Sequence, residues 1–306
     1  ISTISIILMK KIFPIELAVF ILILLGLIII PGVYLSNDRS FEEISIQGDG
    51  YQLHGFVSEG TYVDGNWIIL VHGNRKTGQA HELYQAVMKN LPPEYSILAV
   101  DLRGFGGSVG EGENQLPASI DRRPDIRTAS DYLIETYGVR QDQIILIGHS
   151  LGAAQVFNTA QDENYLLVIP IGLGDWDALL ESESGLSEYM KKFEAYTGIR
   201  VDQDVLYENA ANFTTGSLFS DCPESRVWLV YAHQDDAVPV HLEAFESLSR
   251  ACSGMVDWSE VPISDHMYGT EMSKLPEPLR GIYSKFSLSL LKYRLNQVMR
   301  SADQPS

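Results

Sequence analysis

The residues of this sequence best suited to chemistry are a serine and its neighbours in the pentapeptide Gly148-His-Ser-Leu-Gly152. A serine hydroxyl is a poor nucleophile near neutral pH, so Ser150 needs a histidine to accept its proton and a carboxylate to orient that histidine. Flanking glycines allow a sharp, strained turn, because larger residues would collide with the strand and helix that meet there. The pentapeptide therefore predicts a nucleophilic serine at a strand-to-helix turn.

Three histidines follow Ser150, and one of them occupies the position expected of its base. His266 comes after the last predicted strand, in the polar loop Ser264-Asp265-His266. His233 lies at an earlier strand end, and His241 opens a helix. When the nucleophile sits in such a turn, the acid precedes the histidine along the chain. We therefore predict that His266 is the base.

The carboxylate that orients this base is expected in the loop after the predicted strand Arg226–Ala232. Asp235 and Asp236 both lie in this loop. Adjacent side chains point in different directions, so only one of the two can serve. Asp175, which follows the preceding strand, is a further candidate. The residues by themselves leave this choice open.

Two backbone N–H groups are predicted to bind the negative charge that develops on the carbonyl oxygen of a substrate. The first belongs to Leu151, directly after the nucleophile, and the second to Asn74, which follows His72-Gly73 at the end of an earlier strand. Gly73 would let the backbone approach a substrate closely. A chain reversal without catalytic role is the alternative interpretation of His72-Gly73.

The elements that must position these residues alternate between apolar strands and amphipathic helices. Strands are predicted at Trp67–Val71, Tyr95–Asp101, Ile144–Ile147, Tyr165–Ile171, Arg226–Ala232 and Val256–Val261. Helices are predicted at Gln79–Lys89, Pro124–Tyr137, Val240–Ala251 and Leu279–Arg300. Two alternating segments, Phe41–Gln47 and Tyr51–Ser58, predict a β-hairpin at a sheet edge. The pattern predicts an α/β fold whose mostly parallel sheet carries helices on both faces and binds ligands at the carboxyl ends of its strands.

One segment, about 172–220, interrupts this alternation. It is acidic and rich in aromatic residues, and its roughly fifty residues exceed an ordinary connection. We interpret it as a helical cap inserted over the site. The alternative is a packing excursion that touches no substrate. The domain that contains the serine is predicted to span residues 37–301.

The N-terminal segment 1–36 contains an uncharged apolar run. Leu17–Leu35 is long enough to cross a bilayer. Lys10-Lys11 before it predict a cytoplasmic N-terminus and a domain on the outer side, whether periplasmic, lumenal or extracellular. A cleaved signal peptide is the alternative, although no Ala-x-Ala cleavage site precedes Asn37. Met9 is expected to be the natural translation start.

Composition argues against two classes of protein. The net charge is -18 and no run of Lys and Arg occurs, so nucleic acid is not an expected partner. Two cysteines, Cys222 and Cys252, are too few for a disulfide scaffold and do not form a Cys-x-x-Cys metal motif. Whether these two pair or remain free thiols is not decided by the sequence.

Five motifs along the chain resemble those of the α/β-hydrolase superfamily and come in its order. They are Val71-His-Gly-Asn74, Asp101-Leu-Arg-Gly-Phe-Gly-Gly-Ser108, Gly148-His-Ser-Leu-Gly152, Asp235-x-x-Val238-Pro239 and Asp265-His266. The resemblance covers about Phe41–Leu291. Within the superfamily the chain is most similar to the membrane-anchored α/β-hydrolase-domain lipases and thioesterases and to the serine aminopeptidase-like branch. The resemblance implies an α/β-hydrolase fold that needs no metal or organic cofactor.

The resemblance also assigns site residues. The Asp-x-x-Val-Pro pattern of the family falls on Asp235, which implies a catalytic triad of Ser150, Asp235 and His266. It likewise implies oxyanion donors on Asn74 and Leu151. Relatives often have a small residue after His-Gly-Asn, whereas this chain continues with Arg75-Lys76. These two cations either favour an anionic group on the substrate or face solvent.

The activity expected from these observations is that of a membrane-anchored serine hydrolase. It would cleave carboxylic ester or thioester bonds of a lipid or acylated substrate through an acyl-enzyme on Ser150. A serine peptidase of the aminopeptidase-like branch, with the cap selecting short chains, is one alternative. A non-catalytic binding module on the same fold is another, and the intact set of Ser150, Asp235 and His266 argues against it.

Overall fold

The computed structural model describes residues 39–62, 65–108, 121–174, 187, 190–191, 194, 221–233, 242–252, 254–262, 264–268 and 277–302. All of them lie in the compact unit Asp38–Ser306. They form an eight-stranded sheet with strands β1 (Glu42–Gln47), β2 (Gln52–Ser58), β3 (Trp67–Val71), β4 (Ser96–Val100), β5 (Ile144–His149), β6 (Leu167–Ile171), β7 (Val227–Ala232) and β8 (Val256–Val261). The described helices are α1 (Glu82–Asn90), α2 (Arg123–Tyr137), α3 (Leu151–Asp162), α4 (Leu242–Ala251) and α5 (Glu277–Ala302).

The order of the strands in the sheet places the carboxyl ends of β3 and β5 side by side. The order is β1-β2-β4-β3-β5-β6-β7-β8, in which β1 and β2 run antiparallel to their neighbours and the other strands are parallel. Val71 at the end of β3 lies opposite Gly148 on β5. The Gly-x-Ser-x-Gly turn therefore begins next to the loop that carries His72-Gly73.

Both faces of the central strands are buried, which explains their unbroken apolar sequence. Every residue of β3, β4 and β5 is buried, as expected for parallel strands covered by helices on both sides. One core layer contains residues of α2, α3 and α4, and the other contains residues of α1 and α5. The predictions of a mostly parallel sheet, helices on both faces and an edge hairpin are confirmed.

The start of helix α1 differs from its prediction. The helix expected from Gln79 begins at Glu82, because Gly78–Ala80 forms a 3-10 turn and His81, with φ -65° and ψ 142°, caps the helix by accepting from Leu83 N–H. The buried Gln79 side chain instead donates to the carbonyl groups of Leu70 and Val100, at 2.8 and 3.0 Å. The spacing of apolar residues in the sequence does not reveal these hydrogen bonds to the ends of two strands.

The two cysteines form a disulfide. Cys222 and Cys252, whose Cα atoms are 5.5 Å apart, connect the segment before β7 to the end of α4. The bond leaves the chain without a free cysteine. The structure thus decides between the two possibilities that the sequence left open.

Two predicted features fall outside the described residues. They are the apolar run Leu17–Leu35 and nearly all of the proposed cap at 172–220. Among the residues that the structure does describe, no helix is both long and apolar enough to cross a membrane.

Candidate active site

Ser150 lies at a strained turn between β5 and α3. Its backbone has φ 53° and ψ -114°, and positive φ occurs at only one other non-glycine position in the described part of the chain, Tyr268. Such a conformation costs on the order of 1–3 kcal/mol and persists only where the surroundings enforce it. The predicted strand-to-helix turn is therefore confirmed, with the serine at its tip.

The two glycines of the motif are required by close packing. A Cβ atom at Gly152 would lie 2.5 Å from the carbonyl oxygen of Val71 and 2.6 Å from that of His72. A Cβ atom at Gly148 would overlap the carbonyl group of Gly152. Both contacts are with backbone, which cannot rotate away as a side chain can. The glycines thus let β5, α3 and the end of β3 meet at one point.

The loop after β3 lies against the serine. A Cβ atom at Gly73 would be 2.9 Å from Ser150 Cβ and 3.0 Å from the carbonyl oxygen of His149. Asn74 follows directly. Within the described residues, neither Asn74 N–H nor Leu151 N–H donates a hydrogen bond to the protein. Leu151 is the first residue of α3, where N–H groups have no partner inside the helix.

His72 fixes this loop to the end of β4. Its Nδ1–H donates to Gly73 O at 2.6 Å, and its Nε2 accepts from Leu102 N–H at 3.0 Å. The ring is fully buried, and this burial lowers the pKa of His72 below the usual 6.5. A neutral ring with one donor and one acceptor matches both contacts. His72 therefore serves structure, not proton transfer.

His266 lies in a tightly bonded loop after β8. Ser264 Oγ donates to Val261 O at 2.6 Å, and Asp265 Oδ1 accepts from Met267 N–H at 3.1 Å. Tyr268 closes the loop with a φ of 48°. The His266 side chain is nearly buried, with 8% of its surface exposed. The loop thus holds this histidine in a defined place.

His149 connects the His266 loop to the serine turn. Its Nε2–H donates to the backbone carbonyl of His266 at 2.9 Å, and the two ring centroids are 4.8 Å apart. Burial lowers the pKa of His149 well below 6.5, and the neighbouring His266 and Arg75 add to this lowering. The structure therefore brings His266 next to the residue that precedes Ser150.

The remaining predicted candidates divide into those placed elsewhere and those outside the described residues. His233, at the end of β7, is mostly exposed and its ring contacts Glu260 on β8. Asp235, Asp236, Asp175 and His241 lie outside the described residues, and the role of Asp235 stays a prediction.

Arg75 faces the site more than its neighbour does. It is half-buried, and its Nη1 donates to Asn74 O at 3.1 Å. Its charge is among the causes that lower the pKa of His149. Lys76 is exposed. In the part of the chain that is described, no group of three or more His, Cys, Asp and Glu residues is arranged to hold a metal ion.

One residue near the serine was missed by the sequence analysis. Tyr84 on α1 is buried, and its hydroxyl contacts both Gly73 and His149. In the sequence it stands beside Leu83 in an amphipathic helix, where an aromatic residue indicates packing. Nothing in the local pattern distinguishes it from other core residues.

Comparison with known proteins identifies the family. The profile described as "Alpha/beta hydrolase family" matches residues 68–288, which is more than half of the 306-residue chain. The chain belongs to the alpha/beta hydrolase family. The strained serine turn, its flanking glycines and the mostly parallel sheet with helices on both faces agree with the alpha/beta-hydrolase fold that the resemblance implied.

Solved structures share the fold of this hydrolase at low sequence identity. An esterase of Pyrococcus furiosus, Pf2001, is 17% identical with a TM-score of 0.53, over 81% of this chain and 91% of the esterase. The acylaminoacyl peptidase of Pyrococcus horikoshii is 16% identical with a TM-score of 0.58, over 86% of this chain but 42% of the peptidase. Identity this low demonstrates a common fold and no more.

A curated relative matches only part of the hydrolase. A stretch of 121 residues is 29% identical to the multifunctional-autoprocessing repeats-in-toxin of Vibrio cholerae, and it covers 36% of this chain. The match spans 2% of the length of that toxin.

Proposed function

We propose that this alpha/beta hydrolase is a membrane-anchored serine hydrolase that cleaves carboxylic esters or thioesters of lipid or acylated substrates. The observation that carries the proposal is the strained Ser150, with the two unbonded amides beside it and the His266 loop bonded to its neighbour. Backbone strain of this kind concentrates at functional sites. Amides without a protein acceptor are suited to bind an anionic oxygen.

The proposed reaction has two halves. Ser150 Oγ attacks the carbonyl carbon while His266 takes the hydroxyl proton and Asp235 orients the imidazole. The amides of Leu151 and Asn74 bind the oxyanion. Collapse of the tetrahedral intermediate breaks the ester or thioester bond, and His266 returns the proton to the leaving alcohol or thiol. His266 then deprotonates a water molecule, which hydrolyses the acyl-serine, releases the acid and restores the enzyme.

Covalent labelling tests the enzyme proposal against the binding-module alternative. Wild-type protein is expected to react stoichiometrically with a fluorophosphonate probe, since such probes phosphonylate activated serines with loss of fluoride. Ser150→Ala is expected to lose the label while its thermal unfolding remains cooperative. Folded wild-type protein that takes no label would exclude the proposed activity and favour a binding module.

Substrate comparison separates the hydrolase classes. We expect p-nitrophenyl esters to be cleaved with much higher kcat/KM than aminoacyl anilides, and a longer acyl chain to raise kcat/KM further if the substrate is a lipid. The matched control is Ser150→Ala assayed with both series. Preferential cleavage of anilides would instead support the peptidase alternative, whose fold this chain shares with the acylaminoacyl peptidase.

The anchor and the outward orientation are proposed from two independent observations. Leu17–Leu35 has the length and apolarity of a membrane span. The disulfide between Cys222 and Cys252 is typical of proteins in oxidising compartments.

Fractionation and thiol labelling test this placement. The full chain is expected to stay with membranes during alkaline carbonate extraction. In intact cells a maleimide is expected to label no cysteine before reduction and both after it. Release of the protein by carbonate would contradict the membrane anchor. Labelling of cysteines in unreduced cells would contradict the oxidising compartment.

A further inference from the structure

Three loops must converge for the proposed reaction, and one of them starts far from the others. The Gly73 loop follows β3, and the serine turn follows the neighbouring β5. The His266 loop follows β8, which lies three strand positions from β5 in the sheet. At about 4.8 Å per strand this separation is roughly 14 Å. Strand pairing alone therefore does not place His266 beside Ser150.

Two buried side chains connect these three loops. Gly73 N–H donates to the Tyr84 hydroxyl at 2.6 Å, and that hydroxyl lies 3.0 Å from His149 Nδ1. On the other side of the ring, His149 Nε2 lies 2.9 Å from the carbonyl oxygen of His266. Tyr84 is 1% exposed and His149 4% exposed, so water does not compete for these bonds.

The donor and the acceptor of each hydrogen bond can be assigned from the His266 carbonyl, which can only accept. His149 Nε2 therefore carries the proton. A neutral ring then presents Nδ1 as an acceptor, and the Tyr84 hydroxyl donates to it. Since that hydroxyl also accepts from Gly73, it is engaged at both of its ends. Burial keeps the ring neutral by lowering the pKa of His149. All of these bonds are satisfied by one arrangement of protons.

We propose that Tyr84 and His149 are positioning residues that hold the oxyanion loop and the base loop in register with Ser150. The inference rests on the proposed function, because it assigns the two loops their catalytic tasks. Neither side chain needs to touch the substrate. Their effect is on the relative position of Asn74 N–H and His266, and a displacement of about 1 Å at such a site costs roughly a hundredfold in rate.

The chain offers a matched control for removing a buried tyrosine hydroxyl. Tyr165 is 2% exposed, and its hydroxyl bonds to Ser130 and Glu163 at 3.1 and 2.9 Å. It belongs to the core layer of α2, α3 and α4, whereas Tyr84 belongs to the layer of α1 and α5. Tyr84→Phe and Tyr165→Phe thus remove the same group from equally buried places, near the site and away from it.

The test measures kcat and KM on a p-nitrophenyl ester, and fluorophosphonate labelling rates, for the full chain. We expect Tyr84→Phe to lower kcat and the labelling rate by roughly tenfold to a hundredfold, with KM changed by less than about twofold. Tyr165→Phe is expected to keep both constants close to wild type. Equal kcat values for the two variants, whether lowered or unchanged, would overturn the inference, since a purely structural role affects both alike.

A second pair of variants covers the case in which Tyr84→Phe does not fold. His149→Gln keeps an N–H donor that can reach the His266 carbonyl, and His149→Leu does not. Greater activity of the glutamine variant supports the inference, and equal activity overturns it. Wild-type protein that takes no label would instead refute the proposed function itself. Labelling of wild type with an unaffected Tyr84→Phe would leave that function intact and refute only the positioning roles.

Discussion

Two polar clusters lie at the carboxyl ends of neighbouring strands, and they use their hydrogen bonds differently. In the Asp101 loop (Asp101–Ser108, after β4), the buried Asp101 carboxylate accepts from Gln79 N–H, Gly107 N–H and His54 Nδ1, at 2.6, 2.9 and 2.8 Å. In the serine cluster (Gly73, Asn74, Tyr84, His149–Leu151 and His266), two backbone donors have no acceptor within the described residues. The first cluster is complete by itself, while the second has two backbone donors available for the substrate that we propose.

One edge of the sheet thus carries a self-contained structural cluster beside the proposed active site. Buried polar groups normally find partners, and each exception needs an explanation. Around Asp101 the partners are all supplied by the protein, so the cluster fastens the 3-10 turn to β4. Around Ser150 the strain and the unbonded amides are maintained by surrounding packing. Substitutions in the two clusters are therefore expected to affect different quantities.

The largest expected effect is a loss of stability from Asp101→Asn. The new amide group presents N–H donors to Gly107 N–H and His54, where the carboxylate accepted. Hydrogen bonds to a charged group are worth about 1.5–3 kcal/mol, so we expect a loss of about 3 kcal/mol in the free energy of unfolding. Urea denaturation measures it, with the exposed Asp142→Asn as the control. A loss below about 1 kcal/mol would contradict the structural role of the Asp101 loop.

A pair of glycine substitutions is expected to separate activity from stability. In Gly73→Ala the added methyl group would lie 2.8 Å from Tyr84 Oη and 2.9 Å from Ser150 Cβ. We expect roughly a hundredfold slower fluorophosphonate labelling, about 2.7 kcal/mol in activation free energy. In Gly107→Ala the methyl group would overlap the His54 ring, so stability falls while labelling stays near wild type. Equal labelling of the two variants would remove the functional distinction between the clusters.

Acid is expected to destabilise the protein through its buried neutral histidines. Burial lowers the pKa of His72 and His149 below 6.5, so the unfolded chain binds protons more readily than the folded one. Stability is therefore fully present above about pH 6.5 and falls below it, by up to about 1.4 kcal/mol per pH unit for each histidine. Urea denaturation between about pH 7 and pH 5 measures the slope. We expect His149→Gln to reduce it, and an unchanged slope would contradict the buried neutral ring.

The smallest expected effect is on the difference in stability between glycine and alanine variants, which should have opposite signs at Ser150 and Ser108. Ser150 has φ 53°, so Ser150→Gly is expected to be about 1 kcal/mol more stable than Ser150→Ala. Ser108 in the Asp101 loop has no positive φ. There Ser108→Gly is expected to be about 0.5–1 kcal/mol less stable than Ser108→Ala. Urea denaturation measures the free energy of unfolding of all four variants. If the difference between the glycine and alanine variants had the same sign at both positions, it would contradict the strain assigned to the serine turn.

The sequence predicted those parts of the fold that depend on local pattern. Strands β3 and β8 were predicted to the residue. Strand β3 is an unbroken apolar run, whereas β8 mixes apolar and polar residues between Val256 and Val261. The serine turn was predicted because its two glycines leave space that a larger residue would fill where the strand and the helix meet. His266 was predicted as the base from chain order, and the structure places its loop against His149, the neighbour of Ser150.

The parts that escaped prediction depend on contacts between distant residues. In the sequence Tyr84 cannot be distinguished from other core residues. Only in the folded structure does its hydroxyl contact His149 at the end of β5. The disulfide could not be decided, because 30 positions of separation say nothing about the distance between Cys222 and Cys252 in space. Gln79 was predicted to begin a helix, because the residues after it have helical periodicity. Its side chain instead donates hydrogen bonds to the ends of β3 and β4. Each of these features depends on tertiary packing, which a local sequence pattern does not show.

Trapping the acyl-enzyme is the most direct test of Ser150 as the nucleophile and His266 as its base. Wild-type protein and His266→Ala would be mixed with a p-nitrophenyl ester, quenched in acid within the first turnover, digested and analysed by mass spectrometry. We expect one acyl group on the peptide that contains Ser150 in wild type, and we expect it to form at least about a thousandfold more slowly in His266→Ala. An acyl group trapped on another residue, or equally fast formation without the imidazole, would contradict the proposed roles of Ser150 and His266.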